Sequence, residues 1–368
     1  MARVPAAAAR VHTRASTRSG RCPCCCCSCG IGGKVTLLVL VAFLAWFYKA
    51  IHPPPPILCG TPHGPPVTAP RVQLKDGRYL AYKEIGTEKE KAAYKIINIH
   101  GFRGSRHDIP LIPKATMEEL HIYYVGFDRA GYGQSDPNPG RSLKSDAQDV
   151  VELADILQLG PRFYVTATSI GGSVAWTLLK HFPHRLAGVG MLGPVTNYWW
   201  SGIPTVEAWE AFRFQPIQDQ VAVSVAHYAP WLAYLWNTQN VFPKSSVVAG
   251  RFDFWSMADK KIIASFQPSN ERSADEPTQQ GIHESLIRDM VNMFGRWDFD
   301  PGDLINNGVP VHIWHGDEDS LVPLMLQKYV QRRLSWIHLH VVPGAGHLLH
   351  VMETLSDEMA RTLLSGQA

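Results

Sequence analysis

From Arg71 to the C-terminus, short apolar runs alternate with helix-length segments, and no other feature of the chain constrains its fold so tightly. Arg78 to Ile85 alternates in a strand-like way and stops at Gly86. Lys95–Ile99, Ile122–Phe127, Phe163–Ala167, Leu186–Leu192, Val311–Trp314 and Ile337–Val342 are the further strand candidates. Between them a helix closes at Glu118–Leu120. Val150, Val151, Leu153, Ile156 and Leu157 recur at helical spacing within 142–159, ahead of a stop at Gly160. Helices are also expected over 171–182, over 321–334, and from His347 to about Leu364. This order predicts an α/β fold with a mostly parallel central sheet and helices on both faces.

The rhythm breaks between Pro194 and Pro310. That stretch is mainly helix-like and holds Trp199, Trp200, Trp209, Trp231, Trp236, Trp255 and Trp297, seven of the eleven tryptophans. An aromatic insertion between two strands reads as a helical cap, about 195–309, over a cleft. Any one of these rings can simply pack the cap onto the sheet. As a group they imply an apolar pocket.

The 368 residues suffice for one large domain, 71–368, plus an N-terminal extension. No Asp or Glu precedes Asp76, whereas Arg3, Arg10, Arg14, Arg18, Arg21 and Lys34 all precede the long apolar run. The net charge of +3 therefore belongs to the tail, and the near-neutral remainder offers no face for nucleic acid. All seven cysteines fall at or before Cys59, six of them within Cys22–Cys29. A domain from Arg71 onward thus lacks a disulfide framework and a thiolate metal site. The crowded run has neither a second, separated pair nor a histidine, which argues against zinc. Beside a basic, apolar segment it reads as S-palmitoylation sites or as a tail of no fixed role.

Residues 1–34 form this basic, Cys-rich tail, and 35–51 a transmembrane anchor candidate bounded by Lys34 and Lys49. The fourteen apolar residues from Val35 to Tyr48 would rise about 21 Å as a helix, short of the ~30 Å hydrocarbon core. Extension from Gly30 to Ile51 closes the gap if the lysines snorkel, with Trp46 and Tyr48 at an interface. A cleaved signal peptide fits less well, because the leader is long and no Ala-x-Ala-like site follows. The reading is a single-pass membrane protein whose sidedness and organelle the sequence leaves open. The basic tail favours a cytosolic N-terminus, while the absence of Asn-x-Ser/Thr acceptors speaks against a lumenal domain. Residues 52–70, with Pro53–Pro56, Pro62, Pro65, Pro66 and Pro70, read as an extended stalk.

Five motifs stand at strand ends. Val165-Thr-Ala-Thr-Ser169-Ile-Gly-Gly172 lies where a strand turns into a helix, with small residues flanking a serine as in a nucleophile elbow. Ala167 stands where the first glycine of that motif is usual, and Gly171 takes the second place. Ser169 alone would be a weak signal. His315-Gly-Asp-Glu-Asp319-Ser-Leu-Val-Pro323 follows one later strand and Gly344-Ala-Gly-His347 the next. A serine hydroxyl needs an imidazole to take its proton, and the imidazole needs a carboxylate to fix its tautomer. Serine, acid and histidine occur here in that chain order. His100-Gly101-Phe102 follows an early strand, and Gly126-Phe-Asp-Arg-Ala-Gly-Tyr-Gly-Gln-Ser135 a later one.

From about residue 71 onward, the chain resembles the α/β-hydrolase superfamily, in the group with a helical cap after the sixth strand. The resemblance implies Ser169 as nucleophile, Asp319 as acid and His347 as base. Asp319 is preferred to Asp317 on the family's spacing, with Asp317 left as the competing acid. It implies backbone N–H groups of Phe102 and Ile170 as the oxyanion hole. Gly101 and Gly171 would support that hole by allowing close approach, and His100 by stabilising its loop. The implied reaction is hydrolysis of a carboxylic ester, apolar or lipid-like, through an acyl-enzyme, with no metal or organic cofactor. The alternative is a small-molecule receptor or scaffold that keeps the residues but turns over slowly or not at all.

Overall fold

The computed structural model describes residues 29–251, 253–265 and 276–365, in two units that divide after Lys49. The described part of the first unit lies within helix α1 (Cys29–Ile51). Its Gly32–Ile51 stretch has a mean hydropathy of 1.8, none of it buried, and is long and apolar enough to cross a membrane. A signal sequence meets the same test. Most of the cysteine run and the basic tail lie outside the described residues.

In the second unit, eight strands form one sheet: β1 (Arg71–Gln73), β2 (Tyr79–Gly86), β3 (Tyr94–Ile99), β4 (Ile122–Phe127), β5 (Phe163–Thr168), β6 (Leu186–Leu192), β7 (Val311–Gly316) and β8 (Ile337–Val342). Their order is β1-β2-β4-β3-β5-β6-β7-β8, antiparallel at β1–β2 and β2–β4 and parallel throughout the rest. Every residue of β4 and β7 is buried, as a sheet covered on both faces requires. Ile97 and Ile99 pack with Val150 and Leu153 of α3 (Leu143–Ile156) and Val174 of α4 (Gly172–His181). Ile96 points the other way, to Met117 and Ala360. These belong to α2 (Lys114–Glu119) and to α11 (Glu353–Ser365), the last helix. Helix α3 starts where the sequence places it, because Ser142 and Ser145 satisfy each other's backbone N–H groups in a capping box.

Between β6 and β7 the cap contributes α5 (Thr205–Phe214), α6 (Ile217–Tyr228), α7 (Ala233–Thr238), α8 (Met257–Ser265) and α9 (Arg288–Phe294). The tryptophans mostly join it to itself and to the sheet: Trp200 meets Trp176 and Trp297 edge to face.

Two helix starts differ from the sequence reading. Helix α10 (Leu324–Arg333) begins after Pro323, because the Leu321 and Val322 N–H groups donate to Asp319 Oδ1 at 2.8 and 2.9 Å. His347 precedes the last helix in a loop, because its N–H and that of Leu348 donate to Asp259.

The expected stalk is also joined to the domain from Ile57 onward. Ile57 N–H donates to the Gln280 carbonyl at 3.1 Å, and Thr68 and Ala69 N–H donate to Gln134 Oε1 at 2.8 and 3.0 Å. Cys59 is buried there, so the domain does contain a cysteine, and burial, ahead of nearby charges, pushes its thiol up to about 11. Proline-rich composition specified an extended backbone but not the two glutamines that hold it. Each such hydrogen bond contributes about 0.5–1.5 kcal/mol net. A chain starting at Ile57 should therefore melt higher than one starting at Arg71, by roughly 2–4 °C per kcal/mol, measured by thermal denaturation.

Candidate active site

Ser169 sits at the C-terminal end of β5, on the first residue of a 3₁₀ turn that leads into α4. Its φ is +54°, a left-handed backbone that a residue with a side chain rarely adopts. The turn is held from both sides. A Cβ on Gly171 would lie 2.6 Å from the Ile99 carbonyl oxygen and 2.8 Å from that of His100, so only glycine fits. Ala167, at the place usual for glycine, is a buried β5 residue paired with Ile99 and Met191, and its methyl group fits.

His347 is buried, and its Nδ1 donates to Asp319 Oδ2 at 2.7 Å. Asp319 Oδ1 takes the two N–H groups that delay α10, and His315 Nε2 lies 3.5 Å from Oδ2 while donating to the Val322 carbonyl at 3.0 Å. Burial would raise the Asp319 carboxyl, but the imidazoles of His347 and His315 and the Val322 N–H outweigh it and hold it below the ordinary range. Burial would likewise lower His347. The Asp319 charge, its hydrogen bond and the further Asp259 charge prevail, and the imidazole titrates above its ordinary value. Asp317 is exposed and accepts the Gly344 N–H at 2.6 Å, which ties it to a loop rather than to the imidazole.

Gly101 approaches Ser169 closely: a Cβ on it would lie 3.2 Å from that of Ser169. Its carbonyl oxygen accepts from His100 Nδ1 at 2.8 Å, from Gly104 N–H at 3.2 Å and from Arg129 Nη2 at 3.2 Å. A trans peptide directs its C=O and the following N–H to opposite sides. Holding Gly101 O thus aims the Phe102 N–H the other way, and both Phe102 and Ser169 border the same cavities. The Ile170 N–H lies in the first turn after the serine, where helical geometry supplies no partner. His100 also accepts the Arg129 N–H on Nε2 at 3.1 Å; burial, then the Arg129 charge, pushes its pKa well down, so it stays a neutral structural group.

Two residues that no motif marked complete the arrangement. Arg129 is wholly buried and paired with Asp289 of α9 at 2.5 Å; Arg141 adds a contact to Asp289 at 2.7 Å and Tyr132 OH donates to it at 2.6 Å. Burial opposes ionisation of Asp289, but the two guanidiniums outweigh it and hold its carboxyl at about 2. Arg129 stood inside a recognisable loop, yet its partner lies 160 positions away in the cap. Asp259, on α8, accepts the His347 and Leu348 N–H groups at 3.0 and 2.9 Å and the Ser256 hydroxyl at 2.8 Å. No local pattern distinguishes it from a surface acid of a helix.

Two cavities meet at Ser169. The first, about 690 Å³ in all, is bounded by Phe102, Ile170, Val223, Val247, Met290 and Leu321 among others. The second, about 910 Å³, is bounded by Gly101, Arg103, Trp255, His347 and Leu348 and shares Phe102, Ser169, Val247 and Leu321 with the first. Of the cap tryptophans, Trp255 reaches this wall, its ring 6.1 Å from that of His347; the apolar lining of the first cavity comes from aliphatic, Met, Phe and Tyr side chains instead. No cluster of three or more metal-ligating side chains occurs among the described residues.

A family model described as alpha/beta hydrolase matches residues 99–362. The chain belongs to the alpha/beta hydrolase family. Non-heme chloroperoxidase CPO-A1 of Kitasatospora aureofaciens is 22% identical over 308 residues, covering 80% of this chain and 98% of that protein. Among solved structures, a thermophilic esterase from Thermogutta terrifontis is similar at TM-score 0.55 and 20% identity, over 82% of this chain and 100% of its own. Esterase RhEst1 from Rhodococcus sp. ECU1013 is similar at TM-score 0.55 and 15% identity, over 81% and 99%. These likenesses support the alpha/beta hydrolase fold.

If Asp259 and Asp319 together raise the His347 pKa, histidine NMR should find it titrating above about 6.5, the ordinary imidazole value. Asp259→Asn should move that titration to lower pH. A His347 that titrates at or below the ordinary value would contradict this assignment.

Proposed function

We propose that the protein is a serine hydrolase that cleaves a carboxylic ester of an apolar or lipid-like substrate through an acyl-enzyme. The observation that carries the reading is Ser169 at a left-handed strand-to-helix turn, bordering one cavity with a His347 that is already hydrogen-bonded to a buried carboxylate. Ser169 Oγ attacks the ester carbonyl while His347 Nε2 takes its proton; Asp319 holds Nδ1–H and stabilises the imidazolium. The carbonyl oxygen becomes an oxyanion that the Phe102 and Ile170 N–H groups receive. Collapse breaks the ester bond, and the leaving alcohol departs with the proton from His347. Water then attacks the acyl-enzyme, giving its proton to His347, and Ser169 leaves with that proton as the carboxylic acid is released.

His347 borders the second cavity, so the alcohol departs on that side and the acyl chain occupies the first. The apolar walls of the first cavity suit an acyl chain. Exposed cap residues such as Trp209, Phe214, Ile217 and Trp231, on a chain that carries an apolar helix long enough to span a bilayer, support a lipid-like substrate met at a membrane.

A fluorophosphonate probe should label the full-length protein, and Ser169→Ala and His347→Ala should each abolish labelling. A folded protein that takes up no probe would instead favour a receptor or scaffold. Gly101→Val should cut ester hydrolysis ~100-fold or more, since its side chain displaces the loop that aims the Phe102 N–H. An unchanged rate in that variant would refute the oxyanion assignment.

A further inference from the structure

The first cavity is apolar along most of its wall, yet it contains a carboxylate. Asp219, in the first turn of α6, borders it and is only 6% exposed. One of its oxygens serves the fold. Asp219 Oδ1 accepts the Ser245 hydroxyl at 2.8 Å and the Ser246 N–H at 2.7 Å, which fastens the 245–246 loop to the helix. The other oxygen, Oδ2, is buried and has no hydrogen-bond partner among the described residues. No lysine or arginine forms an ion pair with Asp219 among the described residues. A purely structural aspartate at this position would need only one oxygen, and asparagine could supply it.

An unpartnered buried carboxylate oxygen costs free energy, and proteins pair nearly all such groups. Nearby residues offer no relief. Val223, Val247, Met290 and Phe294 line the same space with carbon, and the polar side chains that also border it, Thr196, Gln215 and Ser245, make no hydrogen bond to Oδ2. Tyr198 also borders it; burial, and then the charges of Asp219 and Asp319, push its phenol pKa up, so its ring lies within the field of this carboxylate. The outstanding partner is therefore something that enters the cavity, and it must donate.

We propose that Asp219 is a specificity residue of the acyl site, its free oxygen receiving a hydrogen-bond donor carried by the acyl chain of the ester. This rests on the reading of the first cavity as the acyl site of a serine hydrolase. The donor is a hydroxyl or an ammonium group, set along an otherwise apolar chain. Such a chain keeps its carbons against Val223, Val247 and Met290 and brings its polar group to Asp219 Oδ2. A plain alkyl chain of equal length leaves Asp219 Oδ2 unpaired, so the site discriminates against it.

The test uses the full-length protein in detergent and straight-chain p-nitrophenyl esters of graded length. At each length the chain ends in methyl, hydroxyl or ammonium. At the length that reaches Asp219, kcat/KM for a donor-ended ester should exceed that for its methyl-ended counterpart by about tenfold to a hundredfold, as for a hydrogen bond to a charged group. The hydroxyl and ammonium arms identify which donor the site takes. Asp219→Asn keeps the acceptor for Ser245 and Ser246 but turns an amide N–H₂ toward the cavity. It should bring the hydroxyl preference to within a few-fold and reverse any ammonium preference. Methyl-ended esters matching or outrunning both donor-ended series at every length would overturn the proposal, whether or not the variant folds, because the wild-type comparison alone decides it. If no ester is turned over and no fluorophosphonate labels the protein, the hydrolase reading fails. The Asp219 assignment is then judged by calorimetric binding of the same chains as methyl ketones to Ser169→Ala, where donor-ended ligands should bind tighter and equal affinities would overturn it.

Discussion

A serine held at φ +54° requires continuous support, because an L-residue in the left-handed region relaxes unless its surroundings prevent it. Here the support comes from the sheet. Strand β5 delivers Ser169 from the centre of eight strands, with β3 and β6 paired on its two sides, and α4 carries the chain away at once. The carbonyls of Ile99 and His100 at the end of β3 leave no room for a side chain on Gly171. The strain is thus fixed by parallel pairing of two central strands, and the loop that brings Gly101 against Ser169 is a direct continuation of the same strand β3. Ser169 and the Gly101–Phe102 peptide share one origin in the sheet register.

Around Ser169 and His347 the cap is coupled to this core by buried charge, while rings such as Trp200 against Trp176 join it elsewhere. Asp289 on α9 takes Arg129 and Arg141, and Arg129 in turn fastens Gly101 O. Asp259 on α8 takes the backbone of His347. Losing one partner of such a buried pair is costly, because the other charge is left uncompensated. Two acids of the cap therefore bear on the orientation of the Gly101–Phe102 peptide and of the His347 backbone.

The central strands were legible because a sheet covered on both faces demands near-continuous apolar runs, and β4 and β6 fall where those runs fall. The positions of Ser169, Asp319 and His347 followed from strand-end motifs, whose residues are close in sequence to the strands that place them. Features that depend on distant partners were not legible. Gln134 and Gln280 hold the proline-rich segment, and Asp259 holds the His347 loop out of the last helix. In each case a polar side chain meets backbone more than sixty residues away, and nothing in the local pattern records the meeting. The tryptophans misled in the opposite sense. Their number suggested the wall of the pocket, but apart from Trp255 they do not border either cavity at Ser169.

This division has a consequence for how the cap can vary. If it only covered the cleft, its sequence could drift with the substrate and leave the chemistry untouched. But α8 and α9 each bear an acid on which the geometry around Ser169 and His347 depends, whereas α6 bears Asp219, which touches neither. Substitutions along α6 and the 245–248 loop therefore act on the wall of the first cavity, and those at Asp259 or Asp289 on the His347 backbone and the Gly101–Phe102 peptide. The cap is one insertion in the chain but two devices in the structure, and the separation follows from which helices place a carboxylate against the sheet's loops and which place one against the cavity.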